Sequence, residues 1–333
     1  MREHSICILR VDRLHIGLSV SLEATDIIIH SDTIFNGICW AYNELYGKEA
    51  LYELLADSKE KRLIISSAFP LSNNTYYFPK PLNLSYNEIG NDSSNRYKTL
   101  KKARFISKDL FEHFINEGTL PIDESRDEAQ SIRIDNIFIH KESEHSPSIH
   151  TSIEYRNRLD RLSYYSDIYR CGYTILRNCA YWFAYHTSDE DKIRAALRLL
   201  ADDGIGGERS IGLGRSSIEF TSINIDEPEA PASIVVLSLY HPTIYEASSI
   251  LHNYNNTPSS RIAYSLTTRG GWTDPRLGSI RKKRLRMFEE GSVLPLQPYA
   301  IHGNIVNVND ESKPVYHYGL CYSIGMRSNK GGR

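Results

Sequence analysis

The spacing of apolar and polar positions divides the chain into short strands, a few amphipathic helices and long polar stretches. Residues 6–11 form a nearly continuous apolar run, which predicts a strand covered on both faces. It ends at Leu14, His15, Ile16 and Gly17. Ser31 or Asp32 then caps a helix that carries Ile34, Phe35, Ile38, Cys39, Tyr42 and Leu45 and closes at Gly47. A second short helix is predicted over 48–56. A strand followed by a helix opens a β-α-β unit of the ferredoxin-like kind.

Residues 61–82 alternate apolar runs with Pro70, Pro79 and Pro81, so extended backbone is expected there. Residues 87–98 read as a polar loop. Ser107 caps a helix with Leu110, Phe111, Phe114 and Ile115, ended by Gly118. Residues 132–139 read as one strand. Residues 172–185 concentrate Tyr173, Tyr181, Trp182, Phe183 and Tyr185. This strand pair is read as core, with base stacking as the alternative. Residues 188–201 open with a cap and acids and place Ile193, Ala196, Leu197 and Leu200 on one face of a helix. A strand follows at 217–221. Residues 226–232 hold two prolines and no large apolar side chain, so the linker is placed there. Beyond it, strands are expected at 234–240, 262–268, 283–289 and 315–322, with a capping box at Thr243 and Glu246 opening a helix. The reading is an α+β chain in two units, 1–225 and 233–333.

Between the helix at 188–201 and the strand at 217–221 lies DGIGGERSIGLGRSS. Gly204, Gly206, Gly207, Gly212 and Gly214 let backbone approach closely or adopt φ > 0. Runs of exposed N–H groups form anion-binding nests, and Arg209 and Arg215 add forked donors suited to phosphate. The expectation is a loop that cradles a phosphate backbone; a plain structural connector remains open. A Rossmann fingerprint needs strand, loop, helix, and here the order is reversed. No Gly-Lys-Ser/Thr follows the glycines, so the loop is no P-loop.

The 333 residues are 41% hydrophobic, enough for ordinary cores. No apolar run approaches the roughly 18 residues of a membrane helix, and residues 1–13 do not read as a signal peptide. Five cysteines lack a CxxC pair, which suits buried thiols in a reducing cytoplasm. The formal net charge is -2, whereas a free-standing nucleic-acid binder is usually basic. Any RNA contact must therefore come from local patches or be shared with neighbouring subunits. His140, His145 and His150 recur every five residues, a spacing that shares no helix or strand face. They are read as part of a loop, and neither metal nor cofactor is assigned.

The glycine loop, placed between the last helix and last strand of a ferredoxin-like unit, resembles that of the RAMP proteins of CRISPR systems. More narrowly, the chain resembles the fourth Csm subunit of type III-A effector complexes. The matching stretches are LHIG at 14–17, HSDTIF at 30–35, SAFP at 67–70, FPKP at 78–81, NRLDR at 157–161, the glycine loop, LSLYHP at 237–242, GGW at 270–272 and EGSV at 290–293. They run in order over nearly the whole chain. The resemblance implies two ferredoxin-like (RRM-like) RAMP domains, the second degenerate, and a non-catalytic subunit that holds the 5′ repeat-derived tag of the crRNA. It implies two protein partners, the large palm-domain (cyclase) subunit and the backbone RAMP subunit.

Candidate RNA contacts follow. His15, Gly17, His30 and Ser31 flank the loop before the first helix, whose N-terminus is a natural anion site. Arg156, Arg158 and Arg161 correspond to the thumb-like insertion of RAMP subunits, with a surface hairpin of Arg–Asp pairs as the plain alternative. The glycine loop contributes its five glycines, Arg209, Ser210 and Arg215. Arg269 and Trp272 precede the densest basic patch, RKKRLR at 281–286, from which Arg281, Lys282, Lys283 and Arg284 are taken; a charge-protected edge strand is the alternative. Lys98, Lys101, Lys102 and Arg104 form a lesser basic cluster. Some RAMP endonucleases use a histidine near 15 or 30 as general base. No partner for such chemistry can be assigned, so no catalytic residue is named.

Overall fold

The computed structural model of the chain describes residues 1–18, 21–59, 63–84, 94–120, 132–141, 144–256, 262–271, 282–296, 302–309 and 315–327. β1 (Arg2–Arg10) buries Ile6, Cys7, Ile8 and Leu9 together, as a strand covered on both faces must. β2 (Arg13–Leu14) follows, then α1 (Ser31–Lys59), which breaks at Gly47 with φ 83° and ψ 178°. The two helices expected here are thus the two segments of α1. β3 (Ile64–Ile65) and β4 (Phe69–Ser72) occupy the proline-bearing extended region.

An insertion then carries β5 (Thr75–Pro79), α2 (Ser94–Lys102), β6 (Phe105–Ser107), α3 (Lys108–Glu117), β7 (Ile132–Asp135), β8 (Phe138–Lys141), β9 (Ser148–Leu159) and β10 (Ser166–Arg177). Two expectations change here. Residues 94–98 belong to α2 rather than to a loop. The single strand expected at 132–139 is a hairpin, because Asn136 adopts φ 54° and folds β7 back on β8. The chain returns with β11 (Ala180–His186), α4 (Glu190–Asp203) and β12 (Ser217–Ile225).

The large sheet runs β12-β1-β11-β4-β5-β6-β8-β7, with β3 also on β11. In its first four strands each neighbouring pair is antiparallel. The α1 crossover skips β11 and the α4 crossover skips β1, which is how two interleaved β-α-β halves arrange a β-α-β-β-α-β unit. Between β4 and β11, β5 to β8 widen the sheet, while β9 and β10 leave it and form a second, three-stranded sheet with β2. Tyr181, Trp182, Phe183 and Tyr185 of β11 are all buried, so that aromatic strand is core.

The remaining chain holds β13 (Ser233–Val236), α5 (Ile244–Asn256), β14 (Leu266–Arg269), β15 (Leu285–Phe288), β16 (Val293–Pro295), β17 (Gly303–Asn307), β18 (Tyr316–Leu320) and β19 (Ser323–Met326). A second ferredoxin-like domain would have two helices over a four-stranded sheet. Among the described residues this region shows one helix, a three-stranded sheet β16-β13-β19 and the ladders β14-β15 and β17-β18. Ile234, Val236, Tyr240, Ile250, Leu294 and Cys321 form a small cluster of its own, and other apolar residues pack on the first region. Val235, Leu237, Val293, Ile305, Tyr318 and Ile324 join the same buried cluster as β1 and α1. Phe35 stacks on Tyr318 at 4.6 Å, and the Ile65 amide donates to the Tyr318 hydroxyl at 2.8 Å. The linker is tied down too: His4 bonds Glu227 at 2.9 Å and Tyr322 at 2.7 Å.

Candidate RNA-binding face

α4 ends where Gly204, at φ 109°, turns the chain and donates to the Leu200 carbonyl. Gly206, Gly212 and Gly214 have φ of 93°, 86° and 78°, and Glu208 takes the left-handed region at φ 58°. Arg209–Ile211 make one 3₁₀ turn. The loop is pinned from within. Ile205 donates to Gly214 O at 3.0 Å, Gly214 to Arg13 O at 2.9 Å and Gly207 to His15 O at 2.8 Å. A Cβ at Gly214 would lie 2.0 Å from Ile205 O, and one at Gly207 would lie 2.7 Å from the His15 ring. Gly214 therefore lets protein backbone approach protein backbone, and Gly207 lets it approach the His15 ring. The expected phosphate nest is narrower than the glycine run: among the described residues, the N–H groups of Glu208, Arg209 and Ser210 have no intramolecular acceptor.

The loop continues into a neighbouring sheet. His15 bridges Gly207, and β2 pairs with β10 through Leu14 opposite Thr174. His15 Nδ1–H donates to Gly172 O at 2.6 Å. Gly17 bridges Thr25, and the Leu22 carbonyl accepts from Gly172 N–H at 2.9 Å. β9 and β10 form a hairpin paired from Ser148 and Arg177 to Leu159 and Ser166. Its tip, 160–165, is held by Asp160 Oδ1, which accepts from the amides of Leu162 at 2.7 Å and Ser163 at 3.1 Å.

Strand alternation sorts the hairpin's side chains. Arg156 and Arg158 share one face with Glu154 and Tyr173, while Ile153, Tyr155, Leu159 and Ile168 occupy the other. Arg156 reaches Glu154 at 3.5 Å, and Arg158 and Arg161 are exposed. Tyr155 is 70% exposed, Tyr164 79% and Leu162 94%. Arg13 lies 4.9 Å over the Tyr173 ring and Arg170 lies 5.3 Å over Tyr155. Sequence reading did not single out Tyr155, Tyr164, Tyr165, Arg13 or Arg170. The signal was SYYSDIYR at 163–170, aromatics in a polar stretch without a core period. Arg209 is less free than expected: it pairs with Asp203 at 2.6 Å and sits 4.9 Å over Trp40. Arg215 is exposed, with no ion pair among the described residues.

The other candidates separate from this face. His30, Ser31 and Arg269 are corrected: they are interior groups that join the two regions. His30 Nδ1 lies 2.8 Å from Glu290 Oε1 and Nε2 lies 3.2 Å from Asp26 Oδ2. Burial would depress the His30 pKa, but Glu290 and Asp26 overcome it and raise it to about 9. The ring is a cation at neutral pH with both nitrogens engaged, so it has no lone pair with which to act as a general base. Arg104, from the lesser basic cluster, turns to Asp26 at 3.2 Å. Ser67 donates to Glu290 and also receives the Ser31 amide at 2.9 Å, while Ser31 Oγ accepts from Leu239 N–H at 3.0 Å. Arg269 grips Asp32 with two bonds of 2.8 and 2.9 Å. Burial opposes ionisation of both Asp26 and Asp32, yet their cationic neighbours hold them well below the usual carboxylate range.

Lys282 lies beside this network, Lys283 and Arg284 are exposed, and Trp272 and Arg281 lie outside the described residues. His140 is bonded to Lys141 O at 2.7 Å and to Asp135 at 3.3 Å.

The model of the CRISPR Csm4 C-terminal domain matches residues 230–326. The Csm4 protein of Thermococcus onnurineus is 30% identical over 315 residues, covering 91% of this chain and 93% of that protein. That of Methanocaldococcus jannaschii is 28% identical over 233 residues, 61% of each. In fold, the chain is similar to a protein in a crystal structure of a Csm1–Csm4 cassette in complex with cA4, with TM-score 0.63, 24% identity and coverage of 99% and 100%. It is also similar to a protein in the Csm3–Csm4 subcomplex of the type III-A CRISPR-Cas interference complex, with TM-score 0.66, 18% identity and coverage of 97% and 100%.

Proposed function

The chain belongs to the Csm4 family of type III CRISPR subunits, and on that premise we propose that it is a non-catalytic RNA-holding subunit of a type III-A interference complex. In this reading it grips the 5′ repeat-derived tag of the crRNA. One observation carries it: the glycine loop, the His15 strand and the arginine-bearing hairpin are hydrogen-bonded into one platform. That platform offers what single-stranded RNA needs. The three free N–H groups and Arg158, Arg161 and Arg215 suit phosphates, and exposed tyrosines suit splayed bases. The net charge of -2 fits an RNA shared with neighbouring subunits.

By analogy with the relatives crystallised with Csm1 and with Csm3, the partners are the large palm-domain subunit on one side and the backbone RAMP subunit on the other. The two regions, 1–225 and 233–333, are taken as RAMP domains, the second degenerate, working in the cytoplasm.

The test is a reconstituted complex carrying crRNA with photoreactive uridines in the tag. Crosslinks to the hairpin and glycine loop are expected. Replacing Arg158, Arg161 and Arg215 together by Ala lowers tag retention without lowering the melting temperature. Removing three phosphate contacts lowers the log–log salt slope of RNA binding by about 2, at roughly 0.7 for each on a single strand. A complex whose tag leaves this chain unlabelled sinks the proposal. Cleavage of repeat RNA in EDTA that is lost in His15→Ala would replace it with an endonuclease.

A further inference from the structure

A second polar centre lies apart from the RNA platform, where the first turn of α1 meets the C-terminal region. Asp32 in that turn, Arg269 at the end of β14, Lys282 ahead of β15 and His317 in β18 converge there, with His241 alongside. The Asp32 carboxylate is already satisfied. Its Oδ2 accepts from Arg269 Nε at 2.8 Å and its Oδ1 from Nη2 at 2.9 Å, a bidentate and neutral pair.

Two groups are left over. Lys282 is a second cation; no acid pairs with it among the described residues, and burial lowers its pKa. His317 is 1% exposed, and neither ring nitrogen has a hydrogen-bond partner. Its Nδ1 points toward the helix start, 3.9 Å from Asp32 Oδ2. Burial, then Lys282, Arg269 and His241, outweigh Asp32 and hold its pKa at about 4. Buried polar groups without partners are costly and rare in native proteins. The centre thus has one positive charge in excess and an unsatisfied imidazole, at the N-terminus of a long helix whose dipole favours an anion.

One ligand chemistry answers all three features. Chloride offers a single atom and a carboxylate two coplanar oxygens. A phosphate group presents several tetrahedral oxygens, which can meet a lysine and an imidazole that approach from different elements. The Ser31, Thr33 and Ile34 amides are already bonded to Ser67 and His30, so the helix contributes its dipole rather than those donors. We propose that the polar centre formed by the first turn of α1, Arg269, Lys282 and His317 binds a phosphate group. The source is either free inorganic phosphate or a phosphodiester of the RNA backbone. Only the second rests on the RNA-holding reading.

The experiment uses the full chain with ¹⁵N-labelled histidine at pH 7. The His317 ring resonances are assigned by their loss in His317→Asn. Inorganic phosphate shifts those resonances in a saturable way. Lys282→Met keeps the Asp32–Arg269 pair and weakens phosphate by roughly tenfold to a hundredfold, the loss expected for one charge-assisted contact. The source is separated by single-stranded RNA and the same oligomer with an uncharged methylphosphonate backbone. If only the charged oligomer displaces phosphate, the site is an RNA subsite. If neither does, the site takes free phosphate, and RNA binding on the platform is judged by its own crosslinking. Resonances that stay fixed through 100-millimolar-scale phosphate, or an unchanged affinity in Lys282→Met, overturn the proposal in favour of buried water.

Discussion

Raising the pH above neutrality should weaken this fold chiefly through one side chain, His30. Its ring is held between two carboxylates, 2.8 Å from Glu290 and 3.2 Å from Asp26, and is only 7% exposed. The folded pKa is about 9 against an ordinary 6.5. The folded state therefore keeps a proton that the unfolded chain has released. The stabilisation is complete below pH 6.5 and is lost as the pH rises through about 9. The difference in pKa corresponds to about 3 kcal/mol. His30→Gln keeps hydrogen-bonding capacity but not the charge, leaving the buried Glu290 without its ion-pair partner and Asp26 with Arg104 alone. At pH 6.5 the variant should be less stable than the wild type by about 3 kcal/mol, and by pH 9.5 the two should coincide. Urea unfolding followed by tryptophan fluorescence at several pH values measures both curves. A wild-type curve flat between pH 6.5 and 9, or an equal slope in His30→Gln, refutes the reasoning.

On the acid side the sign reverses at His317. Its pKa is held at about 4, so stability falls as pH drops from 6.5 toward 4 by up to about 3 kcal/mol, and His317→Asn should flatten that limb in the same titration. Gly214→Ala forces a Cβ to 2.0 Å from Ile205 O at φ 78° and should cost at least about 2 kcal/mol. Gly212→Ala, at φ 86° with nothing within 4 Å, should cost only about 1 kcal/mol by thermal melting. Arg209→Ala removes the Asp203 pair and the Trp40 contact; it should lower stability by about 1 kcal/mol as well as RNA retention. Unchanged melting would show that neither contact matters in solution.

The local half of this structure was written in the chain. The strand at β1, the break at Gly47, the helix with Ser107 and Gly118 at its ends, α4 with its acidic first turn, and the glycine loop before β12 lie where the spacing put them. Each depends on residues within one or two helical turns, and propensity, caps and periodicity act over that range. Two departures in secondary structure were local as well, where a competing signal won. Asn136 turned one expected strand into a hairpin, and α2 formed in a polar stretch with weak apolar spacing.

What only tertiary structure decided is the use to which these elements are put. Basic and histidine residues read alike in sequence whether they face water or a buried acid. His30 meets Glu290 across 260 residues of chain, and Arg269 meets Asp32 across 237, so no local pattern marks them as interior. The glycines showed that backbone would come close to something, but not that the something is Arg13 and His15. Likewise, the alternation of β9 and β10 became two distinct faces only where the outer half of the hairpin left the body of the sheet, its base remaining buried at Cys171, Tyr173, Thr174 and Leu176. Burial and the distribution of charge between distant segments are properties of the assembled chain, set by which surfaces exclude water together.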